Sequence, residues 1–328
     1  MTKRQLVARS ESWPIAGSFR ISRGAKTSAD VIVAEITDNG VTGRGECVPY
    51  ARYDESIRSV LGQISSVRDY IADGLTRDGL LTVMPSGAAR NAIDCALWDL
   101  EAKQSGRSIA EIAGIPAPGP TITAYTLSLD SPENMAAAAK KHSSRPLFKL
   151  KLAGEGDLER VAAVRNAAPR TRLIVDANEA WTADMMREFC PKMADLGVEL
   201  IEQPLPAGED SVLGDMERPV PICADESAHD TATLDDVVEL YDYINIKIDK
   251  TGGLTEALLL AEAAREFGLG VMVGCMLGTS LAMAPAMYLS SYARFVDLDG
   301  PLLLEKDREH GIQFDGNVMH PPSRELWG

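Results

Sequence analysis

The chain has 328 residues, 45% of them apolar and 25% charged, and its 33 Lys and Arg against 48 Asp and Glu leave a net charge of −15. That balance belongs to a globular protein rather than a disordered or fibrous one, and with no run of more than two basic residues the surface lacks the material to track nucleic-acid phosphates. No stretch reaches the roughly 18–20 apolar residues of a membrane span and the first ten residues lead into no apolar signal segment, so a cytoplasmic protein with no membrane partner is expected.

In chain order, residues 1–118 read as an α+β unit. Alternation at Val31, Val33 and Glu35 marks a strand, Asn39-Gly40 marks a hairpin within a turn region at 39–45, and 90–103 is a core helix with Ile93, Leu97 and Leu100 on one face. The segment IPAPGP at 115–120 is a linker. Eight short apolar runs follow, at 121–127, 147–152, 172–176, 198–202, 220–225, 243–248, 270–274 and 295–299, separated by helical patterns. Successive landmarks Lys151, Asp176, Glu202, Asp225 and Lys247 lie 25, 26, 23 and 22 residues apart, the repeat length of a βα unit. The fold class expected is α/β: a modified (β/α)8 barrel over 119–304 under an α+β capping domain, with a hairpin at Asp315-Gly316 returning 305–328 to that cap. Pro191, inside the helical pattern 182–196, predicts a kink or a break.

Five cysteines (Cys47, Cys95, Cys190, Cys223, Cys275) form no C-x-x-C pair, and four histidines (His142, His229, His310, His320) fall in no metal-binding spacing. Disulfide frameworks, thiolate zinc sites and histidine triads lose their support, and the cysteines are expected to be reduced and mostly buried. Chemistry is left to carboxylates and lysines.

Because side chains alternate across a strand, one face collects Lys149 and Lys151 on the second run, Asn245, Lys247 and Asp249 on the sixth, and Asp297 and Asp299 on the eighth. Charges inside a barrel need partners or a ligand. Asp176, Glu202 and Asp225 end three consecutive runs, and three carboxylates at one rim repel each other unless a cation sits among them. An all-oxygen set selects Mg²⁺, with Mn²⁺ as a substitute. Singly, a K-x-K is most often a solvated strand face and a D-x-D a turn; together they fall at the rim where such barrels keep their active sites. Lys151 on the second strand and Lys247 on the sixth stand across the opening, which suits proton removal from one face of a substrate and return to the other. A carbon acid beside a carboxylate needs a Lewis acid to stabilise its enolate, and Lys149, as a like charge, is expected with the metal to lower the pKa of Lys151. Thr126, Ser128 and the stretch 275–279, with Cys275 and Met276, are expected to line the pocket.

These residues resemble the enolase superfamily, specifically its muconate-lactonizing-enzyme subgroup: K-L-K at 149–151, D-A-N at 176–178, E-Q-P at 202–204, A-D-E-S at 224–227, N-I-K-I-D-K-T-G-G at 245–253 and A-A-R-N-A-I-D-C-A-L-W-D-L at 88–100. The resemblance spans nearly the whole chain and implies a capped (β/α)7β barrel, Mg²⁺ dependence, and 1,1-proton transfer or dehydration chemistry. Within the subgroup, D-L-D-G-P at 297–301 is similar to the D-x-D of dipeptide epimerases, which implies that Asp297 and Asp299 hold a substrate's α-ammonium group. F-R-I-S-R-G-A-K at 19–26 and E-C-V-P-Y-A-R-Y at 46–53 are similar to the capping loops of L-Ala-D/L-Glu epimerases, with Arg23 placed to grip the side-chain carboxylate of a C-terminal Glu by bidentate pairing.

The expectation is thus an isomerase of cell-wall peptide recycling that inverts the Cα of a dipeptide's C-terminal residue. Lys151 and Lys247 would exchange protons, Lys149 would tune Lys151, and Asp176, Glu202 and Asp225 would hold one Mg²⁺ per subunit. The alternatives are a cycloisomerase or o-succinylbenzoate synthase on the same scaffold, an epimerase of other side-chain specificity, and a catalytically silent barrel that binds peptides. A homo-oligomer is compatible with all of them.

Overall fold

Alternating branched residues put the N-terminal chain into a three-stranded antiparallel sheet, Gln5–Ile21, Gly24–Asp38 and Val41–Cys47, in the computed structural model, which describes residues 3–316 and 318–328. Asn39 and Gly40 both take positive φ, 49° and 81°, as a tight hairpin turn of right-handed strands requires. The turn ends there, and the expected turn region 41–45 is strand instead. Gly43 and Gly45 let that strand lie directly on the helix Ala88–Ser105: a Cβ on Gly45 would stand 2.2 Å from the Ala92 carbonyl oxygen. Ile32, Ala34 and Ile36 from the sheet and Ala92, Ile93 and Leu97 from the helix close this core.

Eight parallel strands follow, each hydrogen-bonded to its neighbours in chain order: Tyr125–Leu127, Leu147–Lys151, Arg172–Asp176, Val198–Glu202, Ile222–Ala224, Tyr243–Ile246, Gly270–Val273 and Phe295–Val296. The ring closes where the Ala124 N–H donates to the Val296 carbonyl at 2.7 Å and the Leu298 N–H to Thr123 Oγ1 at 2.8 Å. The run 121–127 is therefore two strands. Thr121–Ile122 leaves the ring to pair with Val318–Met319 of the C-terminal hairpin, which brings the tail alongside the barrel rather than onto the N-terminal sheet. The tail does reach the cap by side chains: Arg308 bridges Glu46 (2.7 Å) and Glu11 (2.6 Å), and Trp327 Nε1 donates to the carbonyls of Arg44 and Cys95.

Leu, Val and Ile on the outward faces, such as Leu150, Val175 and Ile246, pack against the surrounding helices. The inward faces start with an apolar floor of one side chain from or beside each strand: Ala124, Leu147, Ile174, Leu200, Cys223, Tyr243, Met272 and Phe295. Two residues further along, on the same inward face, come Thr126, Lys149, Asp176, Glu202, Asp225, Asn245, Gly274 and Asp297. The site is this second layer, built on a dry floor.

The helix Ala183–Asp195 contains Pro191 without the expected break; Pro191 lies on its exposed side. All five cysteines are free, four of them buried. Among the described residues no helix is long and apolar enough to cross a membrane.

Candidate active site

Lys149 rises from the floor into the middle of the ring. Its ammonium lies 2.6 Å from Glu202 Oε2, 2.8 Å from Asp297 Oδ2 and 3.3 Å from Asp176 Oδ2, and it is almost wholly buried. Burial works to lower its pKa, but Asp297, Glu202 and Asp176 together hold it well above the ordinary lysine value. Lys149, expected to tune Lys151, stands in this structure as the counter-ion of three carboxylates.

Lys151 and Lys247 sit one layer higher, on strands four places apart in either direction around an eight-strand ring. Lys151 Nζ is 2.6 Å from Asp176 Oδ2 and 6.0 Å from the Phe19 ring, which comes down from the cap. Lys247 Nζ is 2.5 Å from Asp225 Oδ2 and 3.9 Å from Glu202 Oε1. Burial lowers the Lys247 pKa, yet Asp225 and Glu202 outweigh it and hold the ammonium charged. For Asp225 burial raises the carboxyl pKa, and Lys247 and Lys250 pull it well below the usual range.

Lys250 was not singled out by sequence reasoning. After Lys247 the chain makes one helical turn, Ile248–Thr251, which carries Lys250 round to the same partner: its ammonium is 2.5 Å from the Asp225 carbonyl and 2.6 Å from Asp225 Oδ1. The i, i+3 spacing within N-I-K-I-D-K was the available signal. The same turn takes Asp249 out of the barrel, contrary to the strand alternation expected for it. Its carboxylate accepts from the Val48 N–H (3.0 Å) and Asn91 Nδ2 (2.8 Å) of the cap, where burial pushes its pKa up to about 7.

Asp297 and Asp299 are both buried at the last strand. Asp297 Oδ1 has no hydrogen-bond partner, while Asp299 accepts from the Thr126 N–H at 2.6 Å, and burial followed by the charge of Asp297 raises its pKa to about 7. Thr126 thus meets Asp299 instead of opening onto the main cavity. Gln203, also unforeseen, ties the rim together. Its Oε1 accepts from the N–H groups of Asp225 and Ser227, and its Nε2 donates to Leu205 O, Ser227 Oγ and Tyr241 Oη. Asn178, Glu179 and Gln203 all take positive φ here, so three of the chain's strained non-glycine residues cluster at this mouth.

Asp176, Glu202 and Asp225 stand side by side at the second layer, and their all-oxygen donor set is that of a hard divalent cation. Among the described residues no three His, Cys, Asp or Glu side chains converge as a ready metal shell, because lysine ammonium groups occupy the space between the carboxylates. The fit of the residues to a cation lies in the Asn178 side-chain oxygen, buried two residues after Asp176 and accepting no hydrogen bond, and in Glu202 Oε2, whose partner in this structure is the Lys149 ammonium.

Above these residues a cavity of about 430 Å³ is lined by Lys151, Asp225, Lys247, Cys275 and Met276 from the barrel and by Phe19, Arg23, Lys26, Tyr50 and Arg52 from the cap. Arg23 is already engaged: it donates to Asn178 O (3.1 Å), Glu179 (3.1 Å), Tyr50 Oη (2.8 Å) and Glu226 (2.7 Å). Arg52 is held by both oxygens of Glu179 at 2.8 Å.

Comparison with known proteins matches residues 3–114 to the mandelate racemase / muconate lactonizing enzyme N-terminal domain and residues 134–324 to the enolase C-terminal domain-like family. The L-Ala-D/L-Glu epimerase of Escherichia coli (strain K12) is 46% identical over 312 residues, 94% of this chain and 97% of that one. The N-acetyl-D-glutamate racemase of a Pseudoalteromonas species is 47% identical over 302 residues, 91% and 95% of the two chains. A crystal structure from Agrobacterium tumefaciens, of an enolase family member with homology to dipeptide epimerases and with bound sodium and L-Ala-L-Glu, is 52% identical, with a TM-score of 0.97 over 99% of this chain and 100% of that one.

Proposed function

The chain belongs to the mandelate racemase / muconate lactonizing enzyme family, and from that premise we propose that it is a dipeptide epimerase that inverts the Cα of the C-terminal residue of L-Ala-Glu. The observation that carries this is the pair of buried ammonium groups, Lys151 and Lys247, set on strands four places apart around one ring and opening into one cavity. Residues 1–118 form the cap and 119–304 the barrel that works beneath it, with 305–328 running along the barrel and tied to the cap through Arg308 and Trp327. An activity of this kind serves the recycling of cell-wall peptides in the cytoplasm.

Either lysine takes the α-proton from the face it meets and the other returns one to the opposite face, so each acts as base for one epimer and acid for the other. Asp176 and Asp225, each paired to one of these amines, fix where the two Nζ atoms stand. Lys149, and Lys250 behind Asp225, hold the carboxylates apart from one another. Asp297 offers its unpartnered Oδ1 to the substrate's α-ammonium group. Mg²⁺, or Mn²⁺ in its place, held by Asp176, Glu202 and Asp225, would stabilise the negative charge that develops on the substrate's terminal carboxylate and would relieve the lysines of their counter-ions so that one can lose its proton.

The test is L-Ala-L-Glu with Mg²⁺ in D₂O, followed by proton NMR. The α-hydrogen of the Glu residue should exchange for deuterium as L-Ala-D-Glu accumulates, and a chelator should stop both. No exchange in the presence of metal would end this assignment. The 47% identity to an N-acetyl-D-glutamate racemase favours a second reading, in which the amino group is acylated and no ammonium is present. Turnover of N-acetyl-glutamate that exceeds that of the dipeptide would select it.

A further inference from the structure

Arg90, Asn91, Asp94 and Trp98 share one face of the cap helix Ala88–Ser105, and all four hydrogen-bond to the segment that follows Lys247. Arg90 donates to the carbonyls of Thr251 (2.6 Å) and Gly252 (3.1 Å), Asn91 Nδ2 to Asp249 Oδ1 (2.8 Å) and Trp98 Nε1 to Thr255 Oγ1 (3.0 Å), while Asp94 accepts from the Thr255 N–H at 3.0 Å. Gly252, at φ 74°, makes the approach possible, since a Cβ there would stand 2.5 Å from Arg90 Nε. Asp249 adds a second contact with the cap by accepting from the Val48 N–H at 3.0 Å. Lys151 is held differently. The loop after it is fixed from within the barrel, where Asp157 accepts from the N–H groups of Ala153 (3.1 Å) and Gly154 (2.7 Å) and from Trp181 Nε1 (2.7 Å).

We propose that the cap helix is a positioning element for Lys247 and not for Lys151, acting through Asp249. This rests on the reading of the site as a two-base epimerase, and it gives the cap a part in one of the two proton transfers. Lys247 is the last residue before the turn Ile248–Thr251, and its own carbonyl accepts from the N–H groups of Lys250 (2.9 Å) and Thr251 (3.0 Å), so its backbone cannot move without the turn. Asp249 lies within that turn and is buried against the cap. Holding Asp249 from outside the ring therefore fixes where the Lys247 side chain starts, two residues away. Lys250 leaves the same turn for the Asp225 carbonyl and Oδ1, so Asp225 keeps this partner when the cap contact is cut and the loss falls on Lys247. A reacting group displaced by about 1 Å can lose on the order of 10²-fold in rate. Stability lost in the cap as a whole would instead slow both faces alike.

The experiment follows the initial loss of the α-hydrogen from L-Ala-L-Glu and from L-Ala-D-Glu by proton NMR, at saturating substrate in D₂O with Mg²⁺. It compares the wild type with Lys247→Ala, Asp249→Ala, Asp249→Asn and Asn91→Ala, each checked for folding by far-UV circular dichroism. Lys247→Ala identifies the epimer whose exchange needs Lys247. Asp249→Ala should slow that epimer by about 10- to 100-fold and the other by less than about threefold. Asp249→Asn keeps an oxygen for both donors and should bring the ratio of the two rates back to within about threefold of the wild type. Asn91→Ala removes one of those donors from the cap side and should shift the ratio in the same direction by about 3- to 10-fold, which decides the matter if Asp249→Ala does not fold. Both epimers slowed equally, a ratio unchanged in either alanine variant at the contact, or a ratio in Asp249→Asn as low as in Asp249→Ala would overturn the assignment while leaving the epimerase intact. A wild type that exchanges neither epimer would overturn the functional reading, and this assignment with it.

Discussion

Replacing Lys149 by Met keeps the length of the side chain and takes its charge out of a ring of three carboxylates, at 2.6 Å from Glu202, 2.8 Å from Asp297 and 3.3 Å from Asp176. At an effective dielectric of about 20 each contact contributes about 5–6 kcal/mol of gross attraction. Desolvation of four buried ions offsets most of that, and truncating one partner of a buried pair costs about 3–5 kcal/mol once the stranded charge is counted. Lys149→Met should therefore lose about 3–5 kcal/mol, a large share of the roughly 5–15 kcal/mol by which proteins are stable. The double variant Lys149→Met/Asp297→Asn removes one of the stranded charges and should recover part of the loss. Urea unfolding followed by far-UV circular dichroism, with chelator present so that no cation replaces the ammonium, measures both. A single variant within about 0.5 kcal/mol of the wild type, or a double variant no more stable than the single one, would refute the account of Lys149 as the central counter-ion.

Lys151→Ala and Lys247→Ala should each lower epimerisation by about 10²- to 10⁴-fold, yet each should still exchange the α-hydrogen of one epimer with D₂O, the two variants choosing opposite epimers. NMR exchange with L-Ala-L-Glu and L-Ala-D-Glu checks this, and loss of the same epimer's exchange in both variants would count against attack from two faces. Asp249, with its pKa raised by burial to about 7 from an ordinary 3.8, binds its proton more tightly folded than unfolded. Its contribution to stability is therefore full below about pH 4 and declines as pH rises towards 7. Asp249→Asn should flatten that part of the stability profile, as urea midpoints at pH 5 and 8 would show; identical slopes in variant and wild type would contradict it. Gly45→Ala drives a Cβ to 2.2 Å from the Ala92 carbonyl and should lower stability by about 1–3 kcal/mol or more. Gly62→Ala, with open space around an exposed helical position, should instead raise the thermal midpoint by an amount worth up to about 1 kcal/mol.

The charges of the second and last strands were legible because alternation is a local property. A residue two places from a floor position must share its face wherever the strand continues, which sends Lys149, Asp176, Glu202 and Asp297 inward together. The same logic misplaced Asp249 because the strand ends at Ile246 and one helical turn follows, so the period changes from 2 to 3.6 in the middle of the motif. That turn also hid Lys250, whose partner lies on a different strand.

The order of strands, the inward set of lysines and carboxylates, and the opposition of Lys151 to Lys247 follow from spacing along the chain, since equal βα units laid side by side close into a ring with few alternatives. Which charge answers which was decided only by the closed ring. Lys149 meets Asp297, 148 residues away, because the second and eighth strands are brought round to one axis. Arg23 meets Glu179 and Glu226, 156 and 203 residues on, because the cap hairpin is laid across the mouth. Ion pairs select partners by distance in space, and no periodicity along a chain encodes distances between elements that only folding brings together.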